Sequence, residues 1–243
     1  MEGIFTAENL LALLTLTGLE IVLGIDNIVF LAILSAKLPP EQQERARRLG
    51  LVAAMLMRIV LLLGVGWVAR LKEPFATIPL LVTHVDLSGR NLILIVGGLV
   101  LMAKSVREIH HKTVHDEPAA TATRAAATFG SVIAQIMVMD IVFSLDSVIT
   151  AVGMAQAIWV MVVAVILSVA IMMVFAGPIA RFVDRRPSLK MLALAFLLLI
   201  GFMLVAEGFH YEVPKGYIYF AMAFALGVEM LNMRAEKATA KGR

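Results

Sequence analysis

The sequence predicts an all-α polytopic membrane protein of about seven transmembrane helices, in which three helices are repeated in inverted topology and one is added. Three observations support this prediction. Hydrophobic residues make up 60% of the 243 residues, whereas soluble proteins average about 45–50%. Seven apolar stretches approach the roughly 20 residues that a helix needs to cross the hydrocarbon core. Two of these stretches carry the same motif of two acids spaced six residues apart.

The apolar stretches form a single membrane domain, residues 1–243, with short connections. A first repeat covers about 9–107, a cytoplasmic loop about 108–127, a second repeat about 128–209 and an extra helix about 216–233. Seven of the eight prolines fall between the stretches, where helices are expected to end, and Pro178 lies near the end of the fifth stretch. The seven predicted spans are about 9–36, 47–69, 88–107, 128–153, 157–180, 189–209 and 216–233.

The basic residues predict the orientation of these helices. Of the 21 lysines and arginines, Arg58 and Lys104 lie within spans, and the others divide into 15 on one side of the membrane and four on the other. Cytoplasmic loops are enriched in basic residues. We therefore expect a multi-pass protein of the cell (inner) membrane, with its N-terminus outside and its C-terminus in the cytoplasm. The same placement accounts for the net charge of +3 without a nucleic-acid partner.

The first and fourth spans contain the same acidic motif. Acids are rare inside membrane helices because each costs about 2.5–3.5 kcal/mol at the centre of the bilayer. Four of them would cost on the order of 10–14 kcal/mol, so a functional role is expected. The two copies align without a gap as Glu20-Ile-Val-Leu-Gly-Ile-Asp26-Asn27 and Asp140-Ile-Val-Phe-Ser-Leu-Asp146-Ser147.

A weaker match links the third and sixth spans. The stretch that begins at Gly98 resembles the stretch that begins at Gly201. Because three helices are an odd number, the second copy must enter the membrane from the opposite side. Inverted repeats of this kind bind substrate near the midplane, where the two copies meet.

Four carboxylates in one place favour a cation. Without a compensating positive charge they would repel one another and take up protons. The chain contains no cysteine, and an oxygen-only ligand set suits magnesium, calcium or manganese rather than copper or zinc. The expected ligands are Glu20, Asp26, Asn27, Gln135, Asp140, Ser144, Asp146 and Ser147.

The spacing within each motif leaves two geometries open. Residues six apart on an ideal helix do not share a face, whereas Glu20 and Asn27, seven apart, do. Either the second acid of each motif lies on the flank of that face, or the helix loosens at Gly24 and Ser144. Loosened helices free backbone carbonyls to join a metal site.

The charged residues near these motifs have more than one interpretation. Arg58 and Lys104 could pair with the acids in a static network, although two positive charges cannot balance four negative ones. Arg58 could instead keep the empty site neutral and exchange with the metal. Lys104, Glu207 and Glu229 lie near span ends, where they could serve entry or exit or simply reside at the interface.

A histidine-containing stretch in the long cytoplasmic loop could collect metal. His110, His111 and His115 are followed by Asp116 and Glu117, but a polar linker is the simpler interpretation. The chain has no Gly-rich Walker loop. We therefore expect a transporter driven by gradients and not an enzyme.

The two acidic motifs resemble those of the TerC family of integral membrane proteins. The resemblance includes two further stretches, Lys190 to Phe196 and Ala206 to Phe209, and extends over essentially the whole chain. It implies membership of the lysine-exporter superfamily. Several TerC relatives export manganese, and the family name derives from tellurite resistance.

The resemblance also implies which residues form the motifs. Glu20, Asp26 and Asn27 match the first motif of the family, and Asp140 and Asp146 match the second. The first motif of the family often has serine where this chain has Gly24. The resemblance therefore implies a hydroxyl ligand at Ser144 that is missing from the other copy.

We expect a secondary transporter that exports a divalent metal ion from the cytoplasm and couples this flux to protons. Manganese is the favoured ion. Carboxylates bind metal when ionised and protons otherwise. The expected partners are the lipid bilayer and manganese(II) or a similar divalent cation, with no resident cofactor. The alternatives are a transporter of another solute, such as calcium or a tellurite-related one, and a membrane assembly or scaffold factor that transports nothing.

Overall fold

A computed structural model describes residues 6–79, 84–114, 128–154, 157–184, 186–211 and 213–241. Within these ranges the chain forms eight helices and one two-stranded sheet. The helices are α1 (Ala7–Ser35), α2 (Pro40–Leu63), α3 (Val65–Arg70), α4 (Gly89–Val114), α5 (Phe129–Met154), α6 (Ile158–Asp184), α7 (Pro187–Gly208) and α8 (Lys215–Lys241). The strands are β1 (Pro74–Pro79) and β2 (His84–Ser88).

Most helices begin at residues that satisfy or remove the first backbone donors. The Oγ1 of Thr6 accepts from the backbone N–H of Asn9 at 3.2 Å and caps α1. Ser88 and Thr128 cap α4 and α5 in the same way, each accepting from the residue three positions later at 3.2 Å. Helices α2 and α7 instead begin with Pro40 and Pro187, which lack the N–H that would be unpaired there.

Seven of the helices correspond to the seven predicted spans, which confirms the prediction of an all-α membrane protein. By length and composition alone, four of the helices that the structure describes can cross a membrane: α1, α6, α7 and residues Lys215–Ala235 of α8. Helix α5 contributes a shorter apolar segment, Phe129–Leu145. The inverted orientation of the second repeat stays a prediction.

The connection between α3 and α4 was not anticipated from the sequence. Strands β1 and β2 pair antiparallel there, with Thr77 opposite Asp86 and an irregularity between Pro74 and Ala76. Residues 77–85 are rich in β-branched residues, which is a signal for strands and not for membrane-spanning helices.

Three boundaries of the described helices differ from those of the predicted spans and loop. Helix α2 begins at Pro40 and not near 47, and Gly64 separates it from α3 within the second predicted span. Helix α4 continues to Val114, because the stretch after residue 107 has no proline or glycine to stop it. His110 and His111 therefore lie on a helix and not in a loop. The other three residues of that stretch, His115, Asp116 and Glu117, lie outside the described residues.

The chain divides into two compact units. Unit 1 comprises Met1–Ile93 and Thr121–Phe182, and unit 2 comprises Leu94–Ala120 and Val183–Arg243. Unit 1 thus contains the first two helices of each predicted repeat, and unit 2 contains most of the third helix of each, with α8. The two predicted repeats are therefore divided in the same way. The single membrane domain stays a prediction.

In unit 1, α5 contacts α1, α2 and α3. A glycine permits the close approach, since a Cβ on Gly50 of α2 would lie 2.9 Å from Leu31 Cδ1 and 3.1 Å from Ile136 Cδ1. The rings of Phe30 and Phe143 meet edge to face, with centroids 6.4 Å apart and planes at 82°. These contacts fix α1, α2 and α5 around a common interior.

In unit 2, the two glycines that the weaker sequence match aligns lie against each other. A Cβ on Gly98 of α4 would lie 2.6 Å from the carbonyl oxygen of Gly201, and a Cβ on Gly201 of α7 would lie 2.9 Å from that of Gly98. Small residues let membrane helices approach at backbone distance. The third helices of the two predicted repeats therefore cross at equivalent positions.

Candidate functional site

A buried group of three charged side chains occupies the interior of unit 1, and we call it the carboxylate centre. It consists of Glu20 of α1, Arg58 of α2 and Asp140 of α5, which are 3%, 3% and 4% exposed. Arg58 Nη1 donates to Glu20 Oε2 at 2.5 Å, and Nη2 donates to Asp140 Oδ1 at 2.7 Å. Arg58 Nε lies 3.2 Å from Oδ1 and 3.3 Å from Oδ2 of Asp140. One guanidinium therefore joins the first acids of the two motifs.

Asn27 ties the first motif to the acid of the second. Its Nδ2 donates to Asp140 Oδ1 at 3.1 Å, across the interface between α1 and α5. Asp140 thus accepts hydrogen bonds from both Arg58 and Asn27. Since the amide nitrogen of Asn27 points at Asp140, its carbonyl oxygen is the atom that it could offer to a cation.

The helix geometry resolves the two options that the spacing left open. Helix α1 is continuous through Gly24, and α5 is continuous through Ser144, so the loosened-helix option is wrong for this conformation. Glu20 and Asn27 lie on one face of α1, as predicted, and both reach the carboxylate centre. No backbone carbonyl needs to leave the helix for these side chains to meet.

The missing hydroxyl at Gly24 has a packing explanation. Gly24 is buried against α6, where a Cβ would collide with the sulfur of Met172. The thioether of Met172 therefore occupies the space that a side chain at this position would need. The sequence alone could not reveal that Met172 fills the space beside Gly24, because α1 and α6 are far apart along the chain.

The two predicted serine ligands are buried on α5 and bond to their own helix. Ser144 Oγ donates to the carbonyl oxygen of Ile141 at 3.3 Å, and Ser147 Oγ donates to that of Ser144 at 3.2 Å. Such bonds leave the lone pairs of each hydroxyl oxygen facing away from the backbone acceptor. Gln135 lies five residues before Asp140 on the same helix and is half-buried.

The structure does not place the remaining predicted site residues, Asp26, Asp146 and Lys104, in the carboxylate centre. The backbones of Asp26 and Asp146 are helical, but their side chains lie outside the described residues. Lys104 is half-buried on the part of α4 that belongs to unit 2. Their predicted roles stay predictions.

The carboxylate centre carries a net charge of about −1, because two carboxylates face one guanidinium. Among the side chains that the structure describes, no group of three or more His, Asp and Glu is arranged to hold a metal ion. A cation that binds Glu20 and Asp140 must therefore compete with Arg58. Removing one partner from such a buried pair typically costs about 3–5 kcal/mol.

Two small cavities border Arg58. One, of about 20 Å³, lies on the Asn27 and Asp140 side, and the other, of about 10 Å³, lies on the Glu20 side. A cavity needs about 10–15 Å³ to hold one water molecule, so neither accommodates a hydrated ion. Of these two cavities, neither offers a hydrated ion a way to the carboxylate centre in this conformation.

The two cavities lie toward opposite ends of the helices. The larger is bordered by Leu31 of α1 and Gly50 of α2, and the smaller by Leu16 of α1 and Leu62 of α2. The predicted orientation assigns the first pair to the cytoplasmic half and the second to the outer half. Arg58 therefore lies between two cavities, which we call the inner and the outer cavity after this predicted orientation.

A larger and more open cavity lies where α2 begins and α6 ends, and we call it the arginine vestibule. It measures about 560 Å³ and is bordered by Arg47, Arg48, Arg181 and Glu44. Leu51 borders both the vestibule and the inner cavity next to Arg58. From the sequence alone, these arginines indicate only the topology of the helices. Their convergence depends on two helices that are distant in sequence.

Comparison with known proteins identifies close relatives. The family described as "Integral membrane protein TerC family" matches residues 5–243. The UPF0053 inner membrane protein YgdQ of Escherichia coli is 52% identical over 227 residues, which are 93% of each chain. A UPF0053 protein of Haemophilus influenzae is 49% identical over 236 residues, 97% of this chain and 98% of that protein. No solved structure matches the chain.

A longer relative shares the same region. The UPF0053 inner membrane protein YoaE of Escherichia coli is 44% identical over 237 residues, which are 98% of this chain but 45% of YoaE. The similarity thus covers nearly all of this sequence in proteins of different length.

Proposed function

We propose that this chain, which belongs to the TerC family of integral membrane proteins, is a secondary transporter that exports a divalent cation, manganese in the first place, from the cytoplasm in exchange for protons. The observation that carries the proposal is the convergence of Glu20 and Asp140 on one buried guanidinium. Two acids held away from water are costly unless a cation compensates them. A transported cation would supply that compensation in place of Arg58. We assign the chain to the inner membrane, the location that the names of YgdQ and YoaE give for those relatives.

Arg58 acts in this proposal as an internal substitute for the substrate. Its planar guanidinium bridges two carboxylates at once, as a divalent cation would. While Arg58 is in place, its guanidinium compensates one of the two carboxylate charges without an ion from solution. Binding of the substrate then requires Arg58 to withdraw, which couples occupancy to a movement of α2.

The full ligand set that we propose includes both acids of each motif. Glu20 and Asp140 supply carboxylates that are already adjacent, and Asp26 and Asp146 would complete a cluster of four acids. Asn27, Ser144, Ser147 and Gln135 would add neutral oxygens. Hard divalent cations prefer such oxygen-rich sites, and carboxylate, carbonyl and water ligands suit manganese as well as magnesium or calcium.

Proton coupling follows from the chemistry of the same carboxylates. Acids that bind a metal in the ionised form can return across the membrane in the protonated form. This exchange avoids moving bare negative charges through the hydrocarbon core. The two cavities on either side of Arg58 offer the starting points for access from each face.

An anionic solute is the second candidate substrate, and one observation favours it. The arginine vestibule has three guanidinium groups and one carboxylate, and Arg58 lies further inside. An oxyanion would suit guanidinium donors. The acids of both motifs would then have to be protonated or balanced during transport, which makes the cation the better account of the centre.

The alternative from a different functional class is a membrane assembly or scaffold factor that transports nothing. The bonds of Arg58 to Glu20 and Asp140 are compatible with permanent ion pairs that fix α1, α2 and α5. Manganese would then neither bind to the carboxylates nor displace Arg58. The functional test must therefore measure flux and not only folding.

The test is a flux assay with the purified full chain in liposomes. Manganese uptake is followed with a trapped dye under an imposed proton gradient, with calcium, magnesium and tellurite as competitors. Wild-type protein is compared with Asp140→Asn and with Asp184→Asn, a matched control whose carboxylate pairs with Lys190 at 2.7 Å outside the carboxylate centre.

We expect saturable manganese flux that depends on the proton gradient, is lost in Asp140→Asn and is retained in Asp184→Asn. Saturable calcium or tellurite flux without manganese flux would overturn the choice of substrate. If wild-type liposomes move none of these ions while the protein stays folded, the transport proposal itself fails.

A further inference from the structure

The arginine vestibule has an excess of positive charge that the carboxylate centre does not use. Arg48 Nη2 lies 2.5 Å from Glu44 Oε1, and this ion pair is 72% and 60% exposed at its two side chains. The pair therefore cancels internally. Arg47 and Arg181 are the other two charged residues that border the cavity.

Arg47 is held in a defined position at the edge of the vestibule. It is 7% exposed, and its Nη1 donates to Ser35 Oγ, in the last turn of α1, at 3.3 Å. A guanidinium that is fixed by its surroundings loses little entropy when it binds an anion. Arg47 is therefore preorganised as an anion donor.

Arg181 is directed back along its own helix. A Cβ on Gly177, one turn earlier in α6, would lie 3.3 Å from Arg181 Nη1. The glycine thus leaves room for the guanidinium to lie against the helix and to border the cavity. Arg47 and Arg181 consequently approach one space from two different helices.

The walls of the vestibule next to these arginines are apolar. Leu51, Met173 and Val174 border the same cavity. Val174 is 69% exposed at a position within α6, a helix that is long and apolar enough to cross the membrane. The cavity is therefore cationic toward the helix ends and apolar toward the hydrocarbon.

We propose that the arginine vestibule binds an anionic phospholipid of the surrounding membrane, with its phosphate between Arg47 and Arg181 and the start of an acyl chain along Met173 and Val174. A free phosphate would use the arginines but not the apolar wall. Basic pockets between helices on the cytoplasmic side are suited to anionic headgroups, and the predicted orientation places the vestibule there.

Lipid binding at this position would also change the electrostatics of the inner cavity. A bound phosphate would add negative charge beside Arg47 and Arg181, in a vestibule that shares Leu51 with the inner cavity. A cation on its way to the carboxylate centre would then meet a neutralised vestibule. The lipid proposal itself does not depend on which solute is transported.

The test uses the full chain purified in a neutral detergent and titrated with phosphatidylglycerol or phosphatidylcholine of equal chain length. Native mass spectrometry counts bound lipids, and thermal unfolding reports stabilisation. The variant is Arg181→Gln, since Arg181 is exposed and its loss spares the core. The matched control is Arg45→Gln, on the same turn as the vestibule arginines of α2 but stacked over the Phe129 ring at 5.9 Å.

We expect wild type and Arg45→Gln to retain phosphatidylglycerol in preference to phosphatidylcholine, and Arg181→Gln to bind phosphatidylglycerol about tenfold more weakly. Equal binding of the two lipids by wild type would overturn the proposal. An equal loss in Arg45→Gln would also overturn it, because general surface charge would then suffice. Displacement of the lipid by millimolar inorganic phosphate would assign the site to a free anion instead.

Discussion

Arg58 binds Asp140 through two of its nitrogens, Nη2 at 2.7 Å and Nε at 3.2 Å from Oδ1. Glu20 receives only Nη1 of the same guanidinium. The two acids occupy matching positions of a repeated motif. In this conformation, however, they bind different numbers of Arg58 nitrogens. Asp140 is the main anchor of Arg58, and Glu20 is the weaker partner.

This asymmetry predicts a different stability loss for the two acids. Asp140→Asn should reduce the free energy of unfolding by about 3–5 kcal/mol, because it leaves Arg58 with one carboxylate partner. Glu20→Gln should cost less, since it removes a single hydrogen bond and leaves the Asp140 contacts intact. Chemical unfolding in detergent measures both values.

The control for this comparison is Asp184→Asn. The side chains of the Lys190–Asp184 pair are 26% and 30% exposed, and surface pairs contribute about 1 kcal/mol or less. A larger loss for Glu20→Gln than for Asp140→Asn would contradict the asymmetry.

Arg58→Gln separates an internal competitor from a static partner. If Arg58 competes with the cation, its removal should tighten manganese binding by about tenfold while the protein becomes less stable. Arg58→Lys should give an intermediate affinity, because an ammonium keeps the charge without the planar fork. Calorimetric titration at mildly alkaline pH, where protons compete less, measures the affinities. Manganese binding that disappears in Arg58→Gln while the fold persists would show that Arg58 supports the ion instead of replacing it.

The contact of Gly98 with Gly201 predicts the effect of one methyl group. Gly98→Ala places a Cβ 2.6 Å from a backbone carbonyl oxygen that cannot rotate away, so we expect a loss of about 1–3 kcal/mol. Gly227→Ala on α8 has no atom within 4 Å of the new Cβ and should stabilise the helix by about 0.5–1 kcal/mol. Thermal unfolding of the two variants should therefore shift in opposite directions. A neutral result for Gly98→Ala would mean that α4 and α7 are not in backbone contact.

Gly24 and Met172 should behave as a coupled pair. Gly24→Ser alone forces the end of the Met172 side chain to move, which a flexible thioether can do at moderate cost. Adding Met172→Ala should recover part of the loss, and the double-mutant cycle should give a coupling energy of about 1 kcal/mol. Additive effects would show that the two residues do not share this space.

The acidic motifs could be found from the sequence because charged residues are rare in apolar spans. The same rarity singled out Arg58 as a possible charge partner. The repeat also aligned Gly98 with Gly201 before their contact was known. These features are visible because each contrasts with a uniform apolar background.

Other features depend on side-chain packing between distant segments. Nothing in the spacing of Glu20 and Asp140 says that Arg58 bridges them, or that Asp140 receives most of its donors. The lack of space for a side chain at Gly24 depends on Met172, and the vestibule depends on the approach of Arg47 and Arg181. The hairpin of β1 and β2 lies between two predicted spans, where the search for membrane helices gives no signal.

The most direct measurement of the central claim is an anomalous-scattering map from crystals of the full chain soaked in manganese. We predict a peak bonded to carboxylate oxygens of Glu20 and Asp140, with the Arg58 guanidinium moved away from both. A map in which Arg58 still bridges the two carboxylates, with manganese bound elsewhere or not at all, would contradict the account.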